Sequence, residues 1–142
     1  MARIIGNSRP NLLRGTNKAD LIKGNGGPDA LFGKGGNDKL HGDSGRDLLQ
    51  GDKGQDKMWG GSGGDVFRFK SGDAVPSSGN RDTIYDYQLG VDKIDVPGPG
   101  TLAGVFIFEL VGVGTVVTYD GASEEILVRD KLPGQFTDAD FI

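Results

Sequence analysis

The sequence predicts an all-β fold: a thin parallel solenoid with two nine-residue repeats per coil, closed by a short antiparallel region. The first observation is a run of six nonapeptides from Gly15 to Arg68 without insertion or deletion. The second is that each repeat has Gly at position one, Asp at position six and an apolar residue at position eight. The third is that residues 82–130 contain five short β-like segments and no convincing helical period. A fixed short period of this kind is typical of solenoids.

Each repeat combines a tight turn with a very short strand. Glycines at positions one and four allow positive φ and close backbone approach in the turn. In the remaining three residues side chains alternate, so position eight points inward and positions seven and nine point outward. We therefore expect successive 18-residue coils to stack about 4.8 Å apart on a narrow apolar core. The core residues would be Ile22, Leu31, Leu40, Leu49, Met58 and Phe67.

Stacking brings the Asp of each repeat next to the Asp two repeats later. Carboxylates about 4.8 Å apart repel by roughly 3 kcal/mol at an effective dielectric near 20, so a cation between them is expected. Carboxylate and turn carbonyl oxygens suit Ca²⁺ better than Mg²⁺. The absence of Cys and the single histidine, His41, argue against zinc or copper. The predicted ligands are Asp20, Asp29, Asp38, Asp47, Asp56 and Asp65.

Calcium is expected to be structural, because so narrow an apolar core cannot offset the entropy of ordering the repeats. Pairing repeat n with n+2 among six repeats gives 6 − 2 = 4 complete sites, hence about four or more ions. A disordered Gly/Asp linker is the alternative. Linkers do not keep an apolar column in phase, which favours the solenoid.

The first residues continue the period backwards. Gly6, Asn11 and Leu13 occupy positions one, six and eight of a degenerate repeat, which predicts an N-terminal capping coil over residues 1–14. A disordered leader is the alternative. This stretch has no secretory apolar region and no transmembrane run.

Alternate repeats would lie in opposite sheets, which gives the solenoid two different outer faces. One face is apolar, and we expect the C-terminal half to pack on it; it collects Leu12, Ala30, Phe32, Leu48 and Val66. The other places cations beside an exposed indole, a combination suited to acidic polysaccharides. A plain solvated face is the alternative. This basic face collects Arg3, Leu21, Lys23, Lys39, His41, Lys57 and Trp59.

After Phe69 the nonapeptide period stops. Residues 70–81 form a polar segment rich in turn formers, and the segments that follow alternate or are β-branched. An antiparallel cap that closes the open end of the solenoid fits this pattern. The predicted organisation is a capping coil at 1–14, the repeats at 15–69 and a C-terminal β cap at 70–142.

The nonapeptides resemble the RTX, or hemolysin-type, repeat G-G-x-G-x-D-x-U-x; examples are GNGGPDALF and GKGGNDKLH. The resemblance implies a right-handed parallel β-roll that binds Ca²⁺ between coils. The first repeat departs from it, with Thr16, Asn17 and Lys18 near the expected glycines, so Asp20 is the weakest ligand candidate. The resemblance also implies carbonyl ligands from early turn positions: Gly24, Gly26, Gly33, Gly35, Gly42, Ser44, Gly51 and Lys53.

The C-terminal half has a second resemblance. GGDVFRF followed by RDTIYDYQLGVDKIDV is similar to serralysin C-terminal domains and to R-modules of mannuronan C5-epimerases. Asp82, Asp86, Asp92 and Asp95 match acidic positions there; one or more of them is a ligand of a further ion, or they are solvated or turn-capping residues. The final FTDADFI resembles an uncleaved type I secretion signal. Together these imply a Gram-negative protein that is exported unfolded without an N-terminal signal peptide and folds outside the cell.

The sequence contains no motif for enzyme chemistry such as H-E-x-x-H, G-x-S-x-G or a Cys–His pair. The leading function is therefore a non-catalytic calcium-binding module of a type I secreted protein. The alternative is a carbohydrate-binding R-module for alginate or a similar acidic polysaccharide, serving an attached enzyme. We expect a monomer with no nucleic-acid partner and no membrane span. The sequence leaves open which glycan is bound and whether the chain is a whole protein or a module of a larger one.

Overall fold

A computed structural model describes residues 1–70, 81–96, 106–110, 114–119, 124–131 and 133–142. The described part of the chain consists of short strands and two single-turn 3₁₀ helices. The strands are β1 (Arg3–Ile5), β2 (Leu12–Arg14), β3 (Leu21–Lys23), β4 (Ala30–Gly35), β5 (Lys39–Ser44), β6 (Leu48–Lys53), β7 (Lys57–Ser62), β8 (Val66–Arg68), β9 (Asp82–Ile84), β10 (Lys93–Asp95), β11 (Phe106–Leu110), β12 (Gly114–Tyr119) and β13 (Glu124–Arg129). The helices are η1 (Pro133–Gln135) and η2 (Asp138–Asp140).

The chain forms a β-roll, in which consecutive strands alternate between two parallel sheets. Strands β1, β3, β5, β7 and β9 lie side by side in the first sheet, and β2, β4, β6, β8 and β10 lie in the second. Neighbouring strands are offset by 18 residues through the repeats, so that Leu40 lies beside Met58 and Leu31 beside Leu49. The predicted solenoid with two nonapeptides per coil is confirmed.

The core is a double column of position-eight side chains. One column contains Ile22, Leu40 and Met58 from the first sheet, and all three have no exposed surface. The matching column of the second sheet is equally buried and contains Leu31, Leu49 and Phe67. Ile4 and Leu13 continue these columns at the N-terminal end, where they are only partly buried.

Parallel stacking continues beyond the end of the nonapeptide period. Strand β9 pairs in parallel with β7, and β10 pairs in parallel with β8. The segments Asp82–Thr83–Ile84 and Asp92–Lys93–Ile94 reproduce the spacing of positions six and eight, and both isoleucines are fully buried. The prediction that strands after Phe69 are antiparallel is therefore wrong for β9 and β10. The domain boundaries at residues 14 and 69 stay predictions.

The antiparallel part consists of β11, β12 and β13. Strand β13 joins β9 in parallel, while β12 and β11 follow as antiparallel neighbours. These strands extend the first sheet and cover its open edge, where β9 would otherwise expose unpaired backbone groups. The prediction that the C-terminal half packs on the apolar outer face of the second sheet is wrong for the described residues. Leu12 on that face remains 58% exposed.

Aromatic side chains seal the C-terminal end of the roll. The Tyr87 ring lies 6.2 Å from Phe67 and 5.7 Å from Phe136, and Phe136 lies 6.0 Å from Phe141. Phe141 also pairs with Ile94, so the chain terminus continues the second sheet beyond β10. Neither of the described helices is long or apolar enough to cross a membrane.

Candidate calcium sites

The position-six aspartates form two columns, one along each edge of the roll. In each column, Oδ1 of one Asp accepts a hydrogen bond from the backbone N–H of the residue one coil earlier; Asp38 accepts from Asp20 at 2.7 Å and Asp47 from Asp29 at 2.8 Å. Column I contains Asn11, Asp29, Asp47, Asp65 and Asp92. Column II contains Ala2, Asp20, Asp38, Asp56 and Asp82.

The second carboxylate oxygen has a different role. In Asp29, Asp38, Asp47 and Asp65, Oδ2 is buried and accepts no hydrogen bond from the described residues. A buried charged oxygen without a partner costs at least 1–3 kcal/mol, and such atoms usually mark an absent ion or water. These four oxygens are therefore the strongest indication of a cation site in the described part of the chain.

The position-one glycines leave room beside these oxygens. A Cβ added to Gly24 would contact Asp29 Oδ2 and lie 2.7 Å from the Gly42 carbonyl oxygen. The same holds at Gly33, where Asp38 Oδ2 and the Gly51 oxygen would both contact the added atom. A carboxylate oxygen and a carbonyl oxygen from the next coil thus converge on one small space, which a side chain would fill.

This donor set fits calcium. It consists of oxygen atoms from single carboxylates and backbone carbonyls, and the described residues contain no group of three or more His, Cys, Asp or Glu side chains that could hold a metal by themselves. Ca²⁺ accepts six to eight such oxygens in flexible geometry, whereas zinc and copper prefer nitrogen and sulfur. A bound Ca²⁺ would neutralise the paired carboxylates and join consecutive coils.

Burial opposes ionisation of the column carboxylates when no cation is present. It raises the pKa of Asp38 and of Asp65 to about 6. Burial also raises the pKa of Asp29 and Asp47, and repulsion from the Asp43 carboxylate adds to the effect at both residues. The metal-free roll therefore holds its ligands in an unfavourable charge state at neutral pH.

Asp20 differs from the other column residues. Its Oδ2 accepts hydrogen bonds from the backbone N–H and the hydroxyl of Thr16, both at 2.7 Å. Burial acts to raise the pKa of Asp20, but hydrogen bonds from Ala2 and Thr16 outweigh it, and the pKa is lowered. The protein itself satisfies this carboxylate, in agreement with its weak match to the repeat; its metal role stays a prediction.

The position-three residues stack at the same turns. Gly26 bridges to Ser44, and Gly35 lies beside Lys53. The Lys53 carbonyl accepts a hydrogen bond from Gly36 N–H at 2.9 Å, which leaves one lone pair for a cation. Their part in ligation stays a prediction.

The four acidic residues after the repeats have structural partners. Asp82 and Asp92 extend the columns by accepting the backbone N–H of Asp56 and Asp65, and Asp92 Oδ2 also accepts Gln88 N–H at 2.8 Å. Asp86 accepts hydrogen bonds from the backbone N–H groups of Gly60 and Gly61. The Asp95 carboxylate forms an ion pair with the Arg68 guanidinium at 2.6 Å.

The basic face carries an aromatic stack that is longer than the sequence indicated. His41 and Trp59 are stacked with centroids 4.4 Å apart, and Tyr85 stacks on the other face of Trp59 at 4.4 Å. The Arg129 guanidinium lies 5.1 Å from the Tyr85 ring. Trp59 is half-buried, not exposed as predicted, because its ring faces contact its neighbours. Lys23 lies beside His41 in register, and Lys39 lies beside Lys57.

A buried hydrogen-bond network at the C-terminal end, formed by Tyr87, Thr137 and Asp140, was not predicted. The buried Tyr87 hydroxyl lies 3.1 Å from Asp140 Oδ1, and Asp140 Oδ2 accepts the N–H and hydroxyl of Thr137, each at 2.9 Å. The Thr137-x-x-Asp140 spacing is a capping-box pattern that could have indicated it. Tyr87 gave no such local signal, because its partner lies 53 residues away.

Comparison with known proteins agrees with this geometry. The family model for the RTX calcium-binding nonapeptide repeat matches four copies, over residues 5–40 and 32–67. No curated protein matches the chain.

Two similar solved structures are subunits of a mannuronan C5-epimerase from Azotobacter vinelandii. The AlgE6R3 subunit is 26% identical with a TM-score of 0.61, and the match covers 96% of this chain and 80% of that one. The AlgE6R2 subunit is 27% identical with a TM-score of 0.60, and the match covers 96% and 89%. Residues 5–67 of this chain are therefore RTX calcium-binding nonapeptide repeats, in a β-roll similar to these epimerase R-modules.

Proposed function

We propose that this chain is a calcium-folded, non-catalytic module of an extracellular bacterial protein. The observation that carries the proposal is the set of four buried Oδ2 atoms without hydrogen-bond partners in the two columns. The chain has no cysteine, so calcium takes the stabilising role that disulfides play in many secreted proteins. In this organisation residues 15–69 are the calcium-binding repeats, 1–14 cap one end and 70–142 cap the other.

The test is a calcium titration of the metal-stripped chain, followed by far-ultraviolet circular dichroism with Mg²⁺ as the control ion. We expect little ordered sheet without metal, a cooperative gain at roughly millimolar Ca²⁺ or below, and a weak response to Mg²⁺. Full sheet content in the metal-stripped protein at neutral pH, with no change on adding Ca²⁺, would contradict the proposal.

Export through a type I secretion system follows from the same property. The chain would remain unfolded at low cytosolic calcium and fold outside, with the C-terminal FTDADFI recognised before folding. In the folded chain Phe141 is 2% exposed, so the machinery would have to bind an unfolded tail. Co-expression with a type I exporter should release the full chain into the medium and retain a chain lacking residues 138–142. Equal release of both chains would remove this part of the proposal.

A second candidate function is binding of an acidic polysaccharide such as alginate. It is favoured by the basic face and by the similarity to subunits of an enzyme named for mannuronan. The predicted binding residues are Lys23, Lys39, His41, Lys57 and Trp59. Because the aromatic faces contact each other, sugar rings would meet the edges of the stack while carboxylates pair with the lysines.

The matched comparison is Lys39→Ala with Lys57→Ala against Lys18→Ala, an exposed lysine outside this face. Titration of the calcium-loaded chain with mannuronate and guluronate oligomers should show weaker binding for the double variant alone. Neutral glucose oligomers serve as the ligand control. If the double variant binds as the parent does, the basic face is only a solvated surface.

A further inference from the structure

The two calcium columns are chemically unequal, and the difference begins at position two of each turn. This position has positive φ in Asn25, Lys34, Asp43 and Asp52, with values of 75°, 79°, 72° and 62°. Column I turns carry Asn25 and Asp43, whereas column II turns carry Lys34 and Asp52.

Column I offers calcium the more anionic environment. In Asp29, Asp47 and Asp65 of this column, Oδ2 is buried and accepts no hydrogen bond from the described residues. Asp43 lies in the turn that stacks between the turns of Asp29 and Asp65 along this edge. Asp43 forms no ion pair with any described residue, so its negative charge is not neutralised by the protein.

Column II is partly neutralised by protein groups. Asp20 is satisfied by Thr16, and Lys34 lies beside Asp52 in register. The Asp52 carboxylate also accepts the Gln50 amide and forms an ion pair with Lys70 at 3.6 Å. The positive charge of Lys34 and the pairing of Asp52 make these turns less negative, which weakens their electrostatic attraction for a cation.

At both ends of column I, a side-chain amide donates a hydrogen bond to a turn carbonyl oxygen. The Asn25 side chain donates to the Gly6 carbonyl at 2.8 Å, and Gln88 donates to the Gly61 carbonyl at 2.6 Å. These groups satisfy oxygens of the terminal turns without metal.

We infer that column I binds calcium before column II, and that the Asp43 carboxylate sets this order. The inference rests on the proposed function, since it assumes calcium as the ligand. Asp43 acts as an additional anionic group next to the position-six ligands. Column I then forms the first stable edge of the roll, and column II is filled on a partly ordered scaffold.

The test compares Asp43→Asn with its matched control Asp52→Asn. Both residues have positive φ, which Asn tolerates, so neither change should strain the turn. Backbone amide signals of Gly24, Gly42 and Gly60 report on column I, and those of Gly33 and Gly51 report on column II. Nuclear magnetic resonance of the metal-stripped full chain is followed during a Ca²⁺ titration.

In the parent chain, the column I signals should reach their bound positions at lower Ca²⁺ than the column II signals. Asp43→Asn should raise the calcium midpoint of column I by about three- to tenfold, and Asp52→Asn should leave it nearly unchanged. Earlier or simultaneous saturation of column II, with separate transitions, would overturn the inference.

If all signals move in one cooperative transition, the midpoints of the two variants decide. A larger upward shift for Asp43→Asn supports the inference, and equal shifts or a larger shift for Asp52→Asn overturn it. No response of the parent chain to Ca²⁺ is a separate outcome, which removes the proposed function and this inference with it.

Discussion

The two carboxylate oxygens have different surroundings in the column residues Asp29, Asp38, Asp47 and Asp65. Oδ1 holds the backbone of the preceding coil, while Oδ2 faces the space beside a position-one glycine. The sequence identified these aspartates as candidate ligands but did not show this difference between the two oxygens, because the backbone partner of Oδ1 lies 18 residues away along the chain. The sequence also did not show that the backbone N–H and the hydroxyl of Thr16 donate hydrogen bonds to Asp20 Oδ2, because these contacts depend on the conformation of the turn.

The unequal environments of Asp47 and Asp20 lead to different mutational effects. Asp47→Ala should raise the calcium midpoint for folding on the order of tenfold, because it removes an anionic ligand from the middle of column I. Asp20→Ala should have a smaller effect, since its Oδ2 is already hydrogen-bonded to Thr16. Circular dichroism titrations of both variants measure the difference. Equal shifts would show that all column aspartates contribute alike.

Position four of the turn requires glycine for steric reasons. Gly54 has φ of +142°, and an added Cβ would collide with the Gly36 carbonyl oxygen. Gly54→Ala should therefore destabilise the calcium-loaded fold by about 2 kcal/mol or more. Gly134→Ala is the control, because nothing lies within 4 Å of its added Cβ. Chemical denaturation in saturating calcium measures both, and a harmless Gly54→Ala would mean that the turn can rearrange.

At the level of elements, the repeats were predictable and the transition out of them was only partly so. The six nonapeptides specify strand, turn and inward side chain by a strict period, so β3 to β8 begin where expected. The predicted strand length of three residues is wrong for β4 to β7, which are six residues long because the pairing continues into the turn. Strands β9 and β10 keep only the Asp-x-Ile spacing, and their parallel pairing depends on the free edge that the roll presents to them. Pairing partners over such distances are set by available edges and not by local sequence.

The C-terminal tail acts as a final packed element of the roll. Phe141→Ala should lower the free energy of unfolding by about 3 kcal/mol, because the ring is buried against Phe136 and the residue pairs with Ile94. Ile142→Ala is the matched control at a side chain that is 49% exposed, and we expect a change below about 1 kcal/mol. Thermal unfolding in saturating calcium checks both. Similar losses would show that the tail contributes through its backbone alone.

At the level of the whole molecule, the metal-free roll should depend on pH in the opposite sense to most acidic proteins. The pKa of Asp38, Asp65 and Asp92 is raised to about 6, mainly by burial, so these three carboxyl groups bind protons more tightly in the folded chain than in the unfolded chain. Their ionisation destabilises the metal-free fold above about pH 6, and this penalty disappears as the pH falls toward the ordinary value near 4.

The measurement is the sheet content of metal-stripped protein at about pH 5 and about pH 7.5, without chelator, before and after adding calcium. We expect more sheet at the lower pH without metal, and a smaller gain on adding calcium there, because protons occupy the carboxylates. A metal-stripped chain that is more ordered at the higher pH would contradict the raised pKa values.

The 18-residue offset between neighbouring strands has a genetic consequence. Duplication or loss of a segment encoding 18 residues inserts or removes a whole turn of the spiral and returns every side chain to its own side. A change of nine residues before Asp43 would instead shift the following repeats by half a coil. Asp43 would then move from column I to column II, and Trp59 would move from the first sheet to the second. Lineages of such proteins should therefore differ in length by whole turns.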